Sequence, residues 1–175
     1  TRLLWTILLA ASPFGGPGLL AASGLSSESE NCLVCHGSKD SGAPFIDARI
    51  FALSTHGAKS CALCHTDVKE FPHPASVQKV DCGSCHAGQL NKLKTGVHHN
   101  ACAACHGEHD IQPAGVPSSR IAAANIVKTC GRCHAVEAKK FSASVHGRAS
   151  ARGMRAAPNC IDCHGEHDIR ARGDL

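Results

Sequence analysis

The stretch Cys102-Ala-Ala-Cys105-His106-Gly-Glu-His109-Asp-Ile111 decides the fold of this chain. It holds two cysteines separated by two residues, a histidine directly after the second cysteine, and a further histidine shortly downstream. The first part of this pattern recurs six times in 175 residues and accounts for all 12 cysteines. The six copies are Cys32-Leu-Val-Cys35-His36, Cys61-Ala-Leu-Cys64-His65, Cys82-Gly-Ser-Cys85-His86, Cys102-Ala-Ala-Cys105-His106, Cys130-Gly-Arg-Cys133-His134 and Cys160-Ile-Asp-Cys163-His164.

The spacing Cys-x-x-Cys-His is the attachment signal for c-type haem. Two thiols one helical turn apart form thioethers with the haem vinyl groups, and the following histidine binds the iron as its proximal ligand. Zinc ribbons, redox dithiols and disulfides also use paired cysteines, but none of them requires a histidine after every pair. The sequence therefore predicts six covalently bound haem c groups, whose sites we number one to six in chain order.

The composition supports cofactors in place of an ordinary hydrophobic core. The chain has five Phe, one Trp and no Tyr, together with 17 Gly and 8 Pro, so its side chains alone would form a thin interior. We expect a mainly α and irregular fold, with short helices and loops wrapped around six haems and little or no β structure. The net charge of +4 is too small and too evenly spread to indicate nucleic acid binding.

An internal repeat divides the chain. Residues 82–98 align without a gap on residues 130–146, and each segment is followed by a second haem motif that runs into the same string, Cys-His-Gly-Glu-His-Asp-Ile. The first part of the chain is a looser copy. We therefore predict a hydrophobic N-terminal segment, residues 1–24, and a haem domain, residues 25–175. The domain contains modules one, two and three, at about residues 32–74, 75–111 and 120–169.

The repeat also predicts the distal ligands of the six irons. Six histidines outside the motifs recur at related positions: His56, His73, His98, His109, His146 and His167. The remaining one, His99, lies beside His98 where the other modules have Gly57 and Gly147, and either member of the pair could be the ligand. Met154 is an alternative distal ligand, but it lies in a variable loop. We expect six low-potential haems with two histidine ligands each.

The N-terminal segment is apolar. Residues 3–22 carry no charge, and two prolines, Pro13 and Pro17, interrupt them. Because haem attachment of this type takes place outside the cytoplasmic membrane, an export signal is expected. The segment fits a cleaved signal peptide, and it is also long enough to cross a bilayer as a retained anchor. We expect a retained anchor.

Local signals indicate a few further elements. Ser118 or Ser119 could cap a helix over residues 120–127, and residues 136–145 form a second candidate helix. Residues 111–119 are a linker between modules two and three, and residues 37–48 form an extra loop in module one.

The motifs resemble those of the small multihaem c-type cytochromes of bacterial periplasms, including the class III tetrahaem cytochromes, and those of multihaem subunits of respiratory complexes. The resemblance covers Cys32 to Ile169. It implies closely spaced haems that form a path for electrons. A hexahaem chain with a hydrophobic N-terminus also resembles the membrane-anchored cytochrome subunits of quinone reductase complexes and of alternative complex III.

The resemblance implies an electron carrier that is not an enzyme on its own. We expect a periplasm-facing subunit of a quinone-linked complex, with other redox proteins as partners and membrane contact through the N-terminal segment. A subunit of an extracellular cytochrome filament, with distal ligands from neighbouring subunits, is the alternative. A multihaem reductase acting on nitrite, hydroxylamine or a sulfur oxyanion is less favoured, because it would need an open haem site.

Overall fold

A computed structural model describes residues 24–99, 101–154, 156–171 and 173. Over these residues the chain forms short α-helices joined by turns and irregular segments, without any β-strand, which confirms the predicted fold class. The helices are α1 (Ser27–His36), α2 (Ala48–Ala52), α3 (Cys61–Cys64), α4 (Ala87–Thr95), α5 (Cys102–His106), α6 (Ile126–Gly131), α7 (Ala135–Ala143), α8 (Val145–Ala151) and α9 (Cys160–His164). Residues Cys82–Ser84 and Ala123–Asn125 form 3-10 turns.

The helices are short because local signals start and stop them close to the haem motifs. The Asn159 side chain accepts from the amide of Ile161, and the Asp162 carboxylate accepts from the amide of Asn159, which together fix the start of α9. Helices α5 and α9 end at Gly107 and Gly165, whose φ angles are +89° and +76°. Glycine adopts these left-handed angles without steric cost, so the chain turns away directly after the proximal histidine.

The apolar interior of the described residues is small, as the composition predicts. Its buried apolar side chains are Phe51, Leu93, Ala122 and Ile126. Larger apolar side chains such as Val34, Leu53 and Val145 are mostly exposed. A domain of this size with so few buried side chains needs additional apolar material to be stable, and covalently bound macrocycles would supply it.

The two helices predicted from local signals are only partly right. The helix predicted over residues 120–127 starts later in the structure, because α6 begins at Ile126 and turns precede it. Ser119 is buried and donates to the carbonyl of Gln112 at 2.9 Å, so it holds a turn instead of capping a helix. The second is found as α7 but ends early: Ser144 has extended backbone (ψ 170°), and its side chain caps α8. The predicted loop of module one ends at Asp47, which caps α2.

Backbone hydrogen bonds interlock successive modules at equivalent positions. The amide of Thr55 in module one donates to the carbonyl of Ile111 in module two at 2.8 Å. The amide of Val97 in module two donates to the carbonyl of Ile169 in module three, also at 2.8 Å. In both cases the donor directly precedes a predicted distal histidine, and the acceptor ends the Gly-Glu-His-Asp-Ile string of the next module. The repeat in sequence is therefore also a repeat in three-dimensional contacts.

The N-terminal anchor predicted for residues 1–24 lies outside the described residues, apart from Gly24. Within the part of the chain that the structure describes, no helix has the length and apolar character required to span a membrane.

Candidate haem sites

The cysteines of each motif are arranged for attachment of one haem. In α5, for example, Cys102 and Cys105 are one helical turn apart and lie on the same face. None of the 12 cysteines forms a disulfide, and the second cysteine is exposed in every motif. The attachment chemistry predicted from the sequence requires such paired, accessible thiols.

Five of the six proximal histidines face a second histidine from the predicted distal set. The ring centroids of these pairs are 5.9–6.1 Å apart. The pairs are His36 with His73 (site one), His65 with His109 (site two), His86 with His56 (site three), His106 with His167 (site four) and His134 with His98 (site five).

The separation between the paired rings fits one metal ion held between two imidazoles. A bond from a metal to a histidine nitrogen is about 2 Å long, and the ring centroid lies about 1 Å behind that nitrogen, so two opposed ligands have centroids about 6 Å apart. The rings are close to parallel at sites one, two and four, with interplanar angles of 4°, 23° and 7°. At sites three and five they are inclined by 56° and 65°.

Four of the five pairs cross a module boundary. Site two of module one faces His109 of module two, and site four of module two faces His167 of module three. In the other direction, His56 of module one faces site three of module two, and His98 of module two faces site five of module three. Module two therefore places His98 at the first site of module three and His109 at the second site of module one.

The remaining histidines lie apart from these pairs. His99 is exposed and has no ring contact within the described residues, whereas the neighbouring His98 faces His134. His146 and His164 are also exposed, and neither is in ring contact with another residue in the described part of the chain. Met154, the alternative ligand, is 59% exposed. The structure thus brings together ten of the twelve predicted iron ligands.

Two carbonyl groups orient the ligands of site one. His36 Nδ1 lies 2.9 Å from the carbonyl oxygen of Pro44, and His73 Nδ1 lies 2.8 Å from that of Pro74. Because a carbonyl oxygen only accepts, each Nδ1 carries the proton and donates. The other ring nitrogen, Nε2, then presents its lone pair to a metal, which is the usual arrangement of metal-binding histidines.

The surroundings of several paired histidines keep the imidazoles neutral. Burial, and next to it the facing imidazole of His86, lower the pKa of His56. The pKa values of His106 and His109 are lowered in the same way, first by burial and then by His167 and His65 respectively. Iron binds the neutral form of the ring, so these shifts favour ligation.

Contacts between cysteines place the six sites in one row. The first cysteines of the two sites within a module lie close enough to interact electrostatically. The second cysteines of sites in adjacent modules do so as well. The contacts within modules are Cys32–Cys61, Cys82–Cys102 and Cys130–Cys160, and those between modules are Cys64–Cys85 and Cys105–Cys133. Each site therefore adjoins its neighbours in sequence, and the two kinds of contact alternate along the row.

A cavity of about 530 Å³ lies beside the site-two ligand His109. Phe45, Ile46 and Ile50 provide apolar walls, and Arg120 provides a cation. This volume is within the range of small-molecule sites in proteins, about 300–1,000 Å³. Apolar walls suit a macrocycle, but Asp47, Glu108 and Asp110 also line the cavity and Arg120 already pairs with Asp110, so the cavity is not assigned to a haem.

Sequence analysis predicted a ligand set but not the pairing of its histidines, nor the carbonyl groups of Pro44 and Pro74. The signal for the pairing was present in the repeat, because His109 and His167 stand in identical strings and His56 and His98 each precede a second motif. The alignment of the repeats shows that these histidines are equivalent. It does not show which module each histidine contacts.

Comparison with known proteins agrees with the haem motifs. Residues 21–87, fewer than half of the chain, match the family described as cytochrome c7 and related cytochrome c, and this region contains sites one, two and three. No curated protein and no solved structure is significantly similar to the chain. The match supports a multihaem c-type cytochrome that carries covalent haem and transfers electrons.

Proposed function

We propose that this chain conducts electrons along a row of six c-type haems arranged in sequence order. The observation that carries the proposal is the alternation of cysteine contacts within and between modules, which makes each site adjoin the next. The five imidazole pairs add that two histidines would hold the iron at each of sites one to five. At these five sites such ligation would leave no position for a substrate, and this favours a carrier over an enzyme.

The residues of the chain have separate tasks in this function. The haems would supply the iron that changes between ferrous and ferric, and the cysteines would fix each macrocycle in the row. The paired histidines would keep the same coordination in both oxidation states, so little rearrangement would accompany each transfer. Ligation by two histidines would also keep the potentials of these sites low.

Two measurements test the proposal. Intact mass of the mature protein should show six haems added to the peptide, and a smaller number would contradict the six-site row. Flash reduction followed by transient absorption should then show that an electron entering at one site redistributes over the others.

Matched variants make the second measurement specific. Replacing Cys82 and Cys85 with serine removes site three and interrupts the row in the middle, so redistribution should slow by at least an order of magnitude, or stop. Replacing Cys32 and Cys35 with serine removes a haem from the end of the row, so redistribution among the other five should keep its rate. Equal rates in the two variants would mean that electrons do not follow the sequence order.

We further propose that the protein works outside the cytoplasm, as a subunit of a quinone-linked complex held to the membrane by residues 1–24. The apolar character of residues 3–22 supports this placement. If the anchor is retained, the native protein stays with membranes during high-salt washing, because salt screens only charge-based attachment. N-terminal sequencing that starts near Ser23 or Leu25 would contradict the anchor and favour a soluble or filamentous protein.

A further inference from the structure

The modules exchange histidines in two ways: forward to the first site of the next module, and back to the second site of the preceding module. Module three takes part in only the second of these within the described residues. Each second site faces a histidine from the next module, as site two faces His109 and site four faces His167. Site six is the second site of module three, and its proximal ligand His164 is exposed without a ring contact in the described residues.

His146 does not complete site six under the same rule. Its equivalents His56 and His98 turn forward to the first site of the next module, not back to the second site of their own. His146 is exposed, whereas the five distal histidines that face a partner are all of intermediate exposure. We therefore expect His146 to ligate a haem of a module other than module three.

The backbone amide of Val145, at the same end, has no counterpart to the bonds made by Thr55 and Val97 among the described residues. Thr55 and Val97 donate their amides to the isoleucine carbonyl of the next module's Gly-Glu-His-Asp-Ile string. The equivalent residue in module three, Val145, is 66% exposed and is the first residue of α8. An amide at this helical position has no acceptor within its own helix, so it is available to a partner.

We infer that the exposed end of module three, formed by site six, Val145 and His146, binds a Gly-Glu-His-Asp-Ile segment of another haem module. The histidine of that segment would ligate the iron of site six, and its isoleucine carbonyl would accept from the Val145 amide. The same two contacts join module two to module one and module three to module two. Segments 107–111 and 165–169 of this chain are already engaged in those contacts, so the partner is a further module.

This inference rests on the proposed haem loading, and the first measurement separates the two. A holoprotein with six haems by mass should bind about one carbon monoxide per molecule when reduced, because one distal position of six is open. His167→Ala should raise this to about two, since it opens site four. His146→Ala and Met154→Ala should leave it at one. Fewer than six haems would contradict the proposed function, whereas six haems without carbon monoxide binding would overturn only the inference.

The second measurement tests the docking of the segment. The peptide Gly-Glu-His-Asp-Ile, added to the oxidised holoprotein, should convert one haem to the low-spin form, and the peptide Gly-Glu-Ala-Asp-Ile should not. Free imidazole should produce the same spectral change without using the backbone contact. If the histidine peptide changes no haem while imidazole does, site six accepts small ligands only and the docking proposal is wrong.

A matched variant isolates the backbone contact. Val145→Pro removes the amide donor but keeps α8, since proline is favoured at the first helical position and Ser144 before it is already extended. Loss of one hydrogen bond should weaken peptide binding by about three- to tenfold and leave imidazole binding unchanged. Equal loss for both ligands, or no loss for the peptide, would overturn the assigned contact.

Carbon monoxide binding that disappears as protein concentration rises would show that a second copy occupies site six in place of a further module.

Discussion

The two ends of the haem row differ in how they are completed. At site one, His36 and His73 come from the same module, their rings are nearly parallel at 5.9 Å, and two carbonyl groups hold their outer nitrogens. At the other end, His164 and His146 are exposed and separate. Module one therefore provides both predicted ligands of its own first site. In module three, His164 and His146 are the equivalents of residues that pair across a module boundary elsewhere, and both are exposed.

The sequence around the two ends agrees with this difference. His109 and His167 follow their proximal histidines at the same short spacing, but His73 stands farther from His65 and lies between Pro72 and Pro74. The second distal histidine of module one therefore departs from the spacing that modules two and three share.

The largest expected effect distinguishes the distal ligands at the two ends. His73→Met should raise the potential of one haem on the order of 0.1 V, since axial ligands set potentials over a range of roughly 0.8 V and methionine gives higher values than histidine. His146→Met should leave all six potentials as they are. Potentiometric titration followed by absorption measures both. A raised potential in the His146 variant would mean that site six is closed by His146 and that the two ends are alike.

The glycines that follow the equivalent histidines allow a smaller test. Gly57 and Gly147 are buried, and a Cβ at either position would collide with the carbonyl oxygen of Phe51 or Phe141. Alanine at either position should lower the free energy of unfolding by about 1–3 kcal/mol. Only Gly57→Ala should also alter a haem spectrum, because the adjacent His56 faces His86.

Chemical denaturation gives the stability of the glycine variants, and low-spin absorption gives the ligand state. Similar destabilisation with a spectral change confined to Gly57→Ala would fit a ligand role for His56 and none within this chain for His146. A spectral change in both variants would contradict the difference between the two ends.

The sequence predicts the residue types of the sites and their number, and the structure adds which histidines face each other. Attachment of haem depends on spacing along one helical turn, which is a local property, and so six motifs predict six sites directly. The pairing of distal histidines depends on how modules pack against one another. His56, for example, is separated from His86 by 30 residues in sequence and by a module boundary. No local signal carries that information.

The helices near module three show why their ends were hard to predict. Ser119 has the side chain of a good helix cap, but tertiary contact with the Gln112 carbonyl fixes it in a turn, and α6 starts seven residues later. Ser144 lies inside an apparently continuous helical pattern and instead caps a new helix. In both cases a serine hydroxyl competes for backbone groups, and the outcome depends on the neighbouring chain.

The smallest expected effect concerns the aspartate that follows the second distal histidine of modules two and three. Asp110 accepts a hydrogen bond from Arg120 at 2.8 Å, whereas Asp168 is exposed and has no ion pair among the described residues. Partial burial acts to raise the pKa of Asp110. Hydrogen bonds from Arg120 and from the Glu108 amide outweigh it and hold that pKa below the ordinary value of 3.8.

A lowered pKa in the folded state means that ionised Asp110 stabilises the fold above pH 3.8, and that this contribution is lost as pH falls through the folded-state pKa. Both side chains of the pair are 39% exposed, so solvent screening limits the contribution to about 0.2–1 kcal/mol. Asp110→Asn should therefore lower the free energy of unfolding by that amount near neutral pH and by less in acid, while Asp168→Asn should have a smaller effect at every pH. Equal losses in the two variants, or a loss for Asp110→Asn that grows as the pH falls, would show that the Arg120 pair does not distinguish module two from module three.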